Sequence, residues 1–197
     1  MKKIAIFTSG LSRGSNFLAI YNHIQKRKLP ISIEYIVITN EHAPIKELAN
    51  ERGIKIYNIK PPVLNTEHKQ LSINSQLITI ILNHPADLIV LAGYMRKLNI
   101  DFFDKIKTPM INIHPSLLPK YGGKGMYGMN VHKAVFDAGE MISGATVHYV
   151  NEEYDGGKII TQKECDISMC QSPEEIAQTV LKVEHEIYPN VIENMLL

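Results

Sequence analysis

An α/β architecture on a mainly parallel sheet is predicted by three features of the 197-residue chain. The apolar runs are short, rich in Ile and Val, and bounded by turn residues. They alternate with stretches of helical periodicity, the pattern of βαβ units. The run Leu88-Ile89-Val90-Leu91-Ala92 lacks polar alternation, as expected of a central strand covered on both faces. Strands are predicted over 3–7, 32–39, 55–59, 87–92, 110–114, 145–150 and 158–166, and helices over 15–27, 44–52, 66–83, 131–138 and 173–194. Gly53 follows the second helix as a C-terminal stop. The last helix begins with Ser172 as cap, Pro173 in the first turn and Glu175 completing a capping box. No repeat, linker or low-complexity tract interrupts this order, so residues 1–197 read as one domain.

Composition narrows the partners. A formal charge of +1, with 45% hydrophobic and 21% charged residues, gives no bulk attraction to nucleic acid or to an anionic membrane. An anionic ligand must be caught by a local site. Cys165 and Cys170 are the only cysteines, too few for a disulfide framework and without zinc spacing, and both are expected as reduced thiols. Lys2-Lys3 before Ile4-Ala5-Ile6-Phe7 mimics the start of a signal peptide, but the apolar run stops at Thr8-Ser9-Gly10. No stretch reaches the roughly 20 apolar residues of a membrane span. The expected location is the cytoplasm.

Open parallel sheets bind ligands beyond the C-terminal ends of their strands, so the loops there are where chemistry is expected. The first, Thr8-Ser9-Gly10-Leu11-Ser12-Arg13-Gly14-Ser15-Asn16, leads into a helix whose N-terminus would stabilise a phosphate. A plain turn with Ser15 or Asn16 capping the helix is the alternative, and the spacing is neither a dinucleotide fingerprint nor a Walker loop. In Asn112-Ile113-His114-Pro115-Ser116-Leu117-Leu118-Pro119, the two-residue period puts Asn112 and His114 on one face of a strand end, and two prolines fix the exit. An amide beside an imidazole suits acyl-type transfer, because it can donate to a developing oxyanion and pass protons. Glu152-Glu153-Tyr154-Asp155-Gly156-Gly157 reads in isolation as a solvated turn; Asp155 gains interest as a partner that favours the protonated form of His114. His148 alternates with Val150 and can face the same pocket, whereas His23, His42, His68 and His132 are assigned to surfaces, His84 to a helix end and His185 to the last helix. None has metal-ligand spacing, so no metal is expected. The four glycines between Tyr121 and Asn130 argue for a mobile or tightly turning loop.

Asn112-Ile113-His114-Pro115-Ser116-Leu117-Leu118-Pro119 and Asp155-Gly156-Gly157, with Leu91-Ala92-Gly93-Tyr94-Met95-Arg96 and Gly14-Ser15-Asn16, resemble the folate-dependent formyltransferases from Lys3 to about Pro189. The resemblance implies a Rossmann-like fold with a mostly parallel twisted sheet of about seven strands and helices on both faces. It implies 10-formyltetrahydrofolate as carrier, no metal, and glycinamide ribonucleotide of purine synthesis as acceptor. It carries a catalytic role to Asn112, His114 and Asp155, phosphate binding to Gly14, Ser15 and Asn16, and ribose binding to Glu184. Met95, Arg96, Lys97, Leu98, Asn112 and Val150 would line the folate site. The first loop departs from the family's Ser-Gly-x-Gly-Ser-Asn by carrying Leu11-Ser12-Arg13 between its glycines, and the segment 123–128 is longer than in many members. Leu181 stands where a Lys or Gln is usual, and Lys69-Gln70 stand where an Arg commonly meets the folate tail.

The expected reaction is direct attack of the acceptor amine on the formyl carbon through a tetrahedral oxyanion. Other acceptors, hydrolysis of the formyl carrier, and a non-catalytic folate- or nucleotide-binding module are the alternatives. A monomer and a homodimer are both compatible with the sequence.

Overall fold

The computed structural model describes residues 1–9, 13–60 and 66–197, the side chains of 66–70 excepted. Gly10, Leu11 and Ser12 of the first loop and the side chains of His68, Lys69 and Gln70 lie outside the described residues. The elements run β1 (Lys2–Thr8), α1 (Ser15–Arg27), β2 (Ile31–Ile38), α2 (Ile45–Asn50), β3 (Lys55–Asn58), α3 (Thr66–Asn83) and β4 (Leu88–Leu91). They continue as α4 (Ile100–Lys105), β5 (Met110–His114), α5 (Met129–Asp137), β6 (Ile142–Tyr149), β7 (Ile159–Asp166) and α6 (Pro173–Leu196). The strand order is β3-β2-β1-β4-β5-β6-β7, the mostly parallel α/β sheet expected from the sequence.

The chain divides into two compact units, Met1–Met110 with Leu196, and Ile111–Met195 with Leu197. In the first, β1 pairs in parallel with β2 and β4, and β2 with β3. Ile4, Ala5, Ile6 and Phe7 of β1 are fully buried, as are Ile89 and Val90 of β4, which is why both strands read as continuous apolar runs. In the second unit, β5 pairs antiparallel with β6 and β6 with β7. The β6–β7 connection is too short for a crossover helix, so the strands must reverse.

α4 has no counterpart in the sequence prediction. At six residues it is too short to show a period, yet Asn99 caps it by accepting from the Phe102 N–H at 3.1 Å, with Asp101 in its first turn and Lys105 in its last. α6 follows its start signals: Ser172 Oγ accepts from the Glu175 N–H at 3.2 Å. Glu175 reaches back to the Gln171 N–H at 2.8 Å, one residue before the cap.

The turn after β5 is stapled by the sheet of the second unit. Thr146, buried on β6 opposite His114, donates its hydroxyl to the Ser116 carbonyl at 2.6 Å. The same oxygen accepts from the Leu118 N–H at 3.0 Å and from Gln162 Nε2 at 2.9 Å, and Gln162 Nε2 also reaches the Leu118 carbonyl at 2.8 Å. One hydroxyl thus satisfies two buried backbone groups of the segment that carries His114 away from the strand, and holds the Gln162 amide of β7 as well. Thr146→Val keeps the shape and leaves the Leu118 N–H and the Ser116 carbonyl short of a partner. Urea titration is expected to show a loss of about 1–3 kcal/mol of unfolding free energy; an unchanged midpoint would mean that the staple is idle.

Candidate active site

β5 ends in Asn112 and His114, and the antiparallel register sets Asn112 opposite His148 and His114 opposite Thr146. Asp155 arrives from the β6–β7 connection, and its position depends on Gly157. A Cβ on Gly157 would lie 1.7 Å from the Tyr149 carbonyl oxygen, so only glycine lets the loop fold back on the end of β6. The Tyr149 N–H closes that return by donating to the Lys158 carbonyl at 2.9 Å. Asp155 itself holds φ of 53°, a left-handed conformation that Asp tolerates better than most residues.

The Asp155 carboxylate faces both buried histidines. Oδ2 lies 3.6 Å from His114 Nδ1 and Oδ1 lies 3.7 Å from His148 Nε2. Both separations exceed a good hydrogen bond, and they are ion-pair distances when an imidazole is charged. Oδ2 also accepts from the Gly123 N–H at 2.9 Å, which ties the glycine-rich loop to the site. On the other side of its ring, His114 Nε2 lies 2.8 Å from the Tyr121 carbonyl. A carbonyl only accepts, so Nε2 carries a proton there. Tyr121 is anchored in turn, because its hydroxyl and Lys120 Nζ donate to Glu140 Oε1 at 2.9 and 3.0 Å.

The structure brings Asn112, His114 and Asp155 together as expected, and it places His148 in the same cluster. His148 Nε2 is 3.2 Å from Asn112 Nδ2, and Nδ1 is 2.8 Å from the Tyr149 carbonyl. Burial lowers the pKa of His148, although the Tyr149 carbonyl and Asp155 pull it upward. The surface assignment of His132 is overturned. It is 5% exposed on α5, its Nδ1 has no hydrogen-bond partner among the described residues, and burial with the nearby His114 pushes its pKa down to about 4. A two-turn amphipathic helix turned its histidine inward, a choice that the sequence of α5 alone leaves open. Tyr121 and Glu140 were missed because one acts through a backbone carbonyl and the other through a hydroxyl partner distant along the chain.

The remaining predicted positions divide between the units. In the first, Gly14 is the N-cap of α1 with φ of 78° and makes no side-chain cap bond, so neither Ser15 nor Asn16 occupies the cap position considered above. A Cβ on Gly14 would press on Ile45 and Leu48 at 3.2 Å. Arg13 is exposed. Met95 donates its N–H to Ser9 Oγ at 2.7 Å, which removes that donor from any ligand, while Arg96 is half-buried, Lys97 exposed and Leu98 buried. In the second unit Val150 is half-buried just after β6, and Glu184 is a buried carboxylate on α6. Among the described residues no group of three or more His, Cys, Asp or Glu is arranged to hold a metal ion, and no helix is long and apolar enough to cross a membrane.

A family profile described as formyl transferase matches residues 2–192. The chain is 36% identical over 191 residues to a chloroplastic phosphoribosylglycinamide formyltransferase of Arabidopsis thaliana, covering 97% of this chain and 64% of that protein. It thus spans less than two thirds of that relative. A Bacillus subtilis phosphoribosylglycinamide formyltransferase is 35% identical over 196 residues, covering 100% of this chain and 95% of the relative. The solved structure of glycinamide ribonucleotide transformylase 1 from Geobacillus kaustophilus superposes with a TM-score of 0.87 at 30% identity, covering 100% of both chains.

Burial of a neutral His132 makes stability depend on pH. Its folded pKa of about 4 lies below the ordinary 6.5, so the unfolded chain takes up the proton first as pH falls. Stability is full above the ordinary value and is lost through the window down to about 4, on the order of 3 kcal/mol in all. His132→Phe should lose correspondingly less between neutral and acidic urea titrations; a difference from wild type that does not change with pH contradicts this assignment.

Proposed function

The chain belongs to the formyl transferase family, and from that membership we propose that it moves the formyl group of 10-formyltetrahydrofolate onto the amine of glycinamide ribonucleotide, the phosphoribosylglycinamide formyltransferase reaction of purine biosynthesis. The observation that carries this reading is the cluster of Asn112, His114 and Asp155 around the end of β5, with His114 between a carboxylate and a carbonyl. We take residues 1–197 as one formyltransferase domain, since one family profile runs through both units.

The substrate's neutral amine attacks the formyl carbon, and binding both reactants replaces a bimolecular encounter with an oriented one. Negative charge then develops on the formyl oxygen. Asn112 Nδ2–H and the protonated ring of His114 donate to it, in surroundings where buried donors act strongly. Nε2–H of His114 is taken by the Tyr121 carbonyl, so Nδ1 is the ring atom that addresses the reacting oxygen. Asp155, 3.6 Å from Nδ1, supports the positive ring and accepts the amine proton through water; as the oxyanion collapses, the bond from the formyl carbon to N10 of the folate breaks and that proton passes to the departing nitrogen. Gly14, Ser15 and Asn16 bind the substrate phosphate at the start of α1. Glu184 holds the ribose hydroxyls. Backbone groups of Arg96, Lys97 and Leu98, the Met95 carbonyl and Val150 meet the folate.

Formyl loss from 10-formyltetrahydrofolate is expected only in the presence of glycinamide ribonucleotide; equal loss without acceptor means hydrolysis and defeats the transferase reading. His114→Ala and Asp155→Asn are each expected to lower kcat on the order of 10²–10³-fold with the circular dichroism spectrum unchanged. Near-normal turnover in either variant removes that residue from the mechanism.

A further inference from the structure

Asn112 can use its carboxamide on a ligand only if that group is held in one of its two orientations, which differ by exchange of Oδ1 and Nδ2. The structure contains the group that decides between them. His148 lies directly across the β5·β6 ladder from Asn112 and is 3% exposed. Its Nδ1 is 2.8 Å from the carbonyl oxygen of Tyr149. That oxygen has no proton to give, so Nδ1 must carry one. Burial penalises a second proton on the ring and lowers its pKa, which leaves Nε2 as a bare acceptor near neutral pH. The polar group at hydrogen-bond distance from Nε2 is the Asn112 carboxamide, at 3.2 Å. With Oδ1 turned to Nε2, two lone pairs would oppose each other in a buried site; with Nδ2 turned to it, a hydrogen bond forms.

We propose that His148 is a positioning residue for Asn112: its unprotonated Nε2 accepts one carboxamide N–H and thereby aims the second N–H at the ligand. This rests on the reading that Asn112 donates to the formyl oxygen. It assigns to one histidine a role distinct from that of the other. His114 meets Asp155 through a nitrogen that can be charged, while His148 presents the same carboxylate, 3.7 Å away, with a lone pair. The two imidazoles share one anion and differ in the proton each carries, because one has a backbone carbonyl at Nε2 and the other at Nδ1.

Two substitutions separate this role from packing. His148→Gln keeps an acceptor near the place of Nε2, whereas His148→Asn keeps a polar group near Nδ1 and is too short to reach Asn112. With both variants compared with wild type for kcat, for KM toward each substrate and for Tm, the Asn variant is expected to lose kcat on the order of ten- to hundredfold with each KM within about twofold, and the Gln variant to stay within about threefold of wild-type kcat. Wild-type kcat in the Asn variant overturns the proposal, and so does a Gln variant as slow as the Asn variant at equal Tm. A second readout does not depend on turnover. Nitrogen-15 NMR of the wild-type protein is expected to show His148 protonated at Nδ1 and bare at Nε2, with a scalar coupling across the hydrogen bond between Asn112 Nδ2 and His148 Nε2. A proton on Nε2 overturns the proposal even in an active enzyme, and a wild-type protein that transfers no formyl group while showing this coupling sinks the function and leaves the positioning intact.

Discussion

The Asp155 carboxylate is the group around which the second unit organises its polar interior. One of its oxygens accepts from the Gly123 N–H and faces His114; the other faces His148. Both rings are nearly inaccessible, with side-chain exposures of 4% and 3%. A charged imidazole at such depth needs a counter-ion, and the Asp155 carboxylate, 14% exposed, needs donors in turn. Neither demand is met within a single element. The loop 150–158 must close tightly enough to bring Asp155 over the sheet, and the contact of Gly157 with the Tyr149 carbonyl is the place where it does so.

The antiparallel ladder of β5 and β6 converts that local geometry into chemistry. A slip of one residue would turn Asn112 and His114 to the opposite face and bring Ile111 and Ile113 in their place. In the observed register each functional residue of β5 has a polar partner on β6. Asn112 meets His148, and His114 stands beside Thr146, which fastens the outgoing turn. The turn then presents the Tyr121 carbonyl to His114 Nε2, with Glu140 anchoring the Tyr121 hydroxyl. Three histidines crowd this region, and they divide by environment: His114 has the shared anion and the Tyr121 carbonyl, His148 the same anion with the Tyr149 carbonyl and the Asn112 amide, and His132 an Nδ1 without a hydrogen-bond partner among the described residues. Burial keeps the last two neutral, which spares His114 the repulsion of neighbouring charges when it is protonated.

Membership of the formyl transferase family accounts for the company these residues keep in the sequence, and the formyl-transfer reading gives each a task. The helix start at Gly14 fits the same reading by a separate argument, because the dipole and first N–H groups of a helix N-terminus suit an anion.

Much of this was legible in the residues. The bounds of α1, α3 and β5 follow the predicted spans without change, because apolar periodicity and the prolines that follow act over a few neighbouring positions. Asn112 and His114 were readable as a pair, since a strand's alternation is a local property, and the family motif linked them to Asp155. The inward turn of His132, the carbonyl of Tyr121 and the anchoring by Glu140 were not readable, for they join positions far apart or use atoms that every residue possesses. α4 was hidden by its brevity. The residue types and their order therefore determined the elements and the candidate chemistry, whereas the tertiary structure alone decided which histidine faces which carbonyl. Protonation is set by neighbours in space and the field they create, and no spacing along a chain records that.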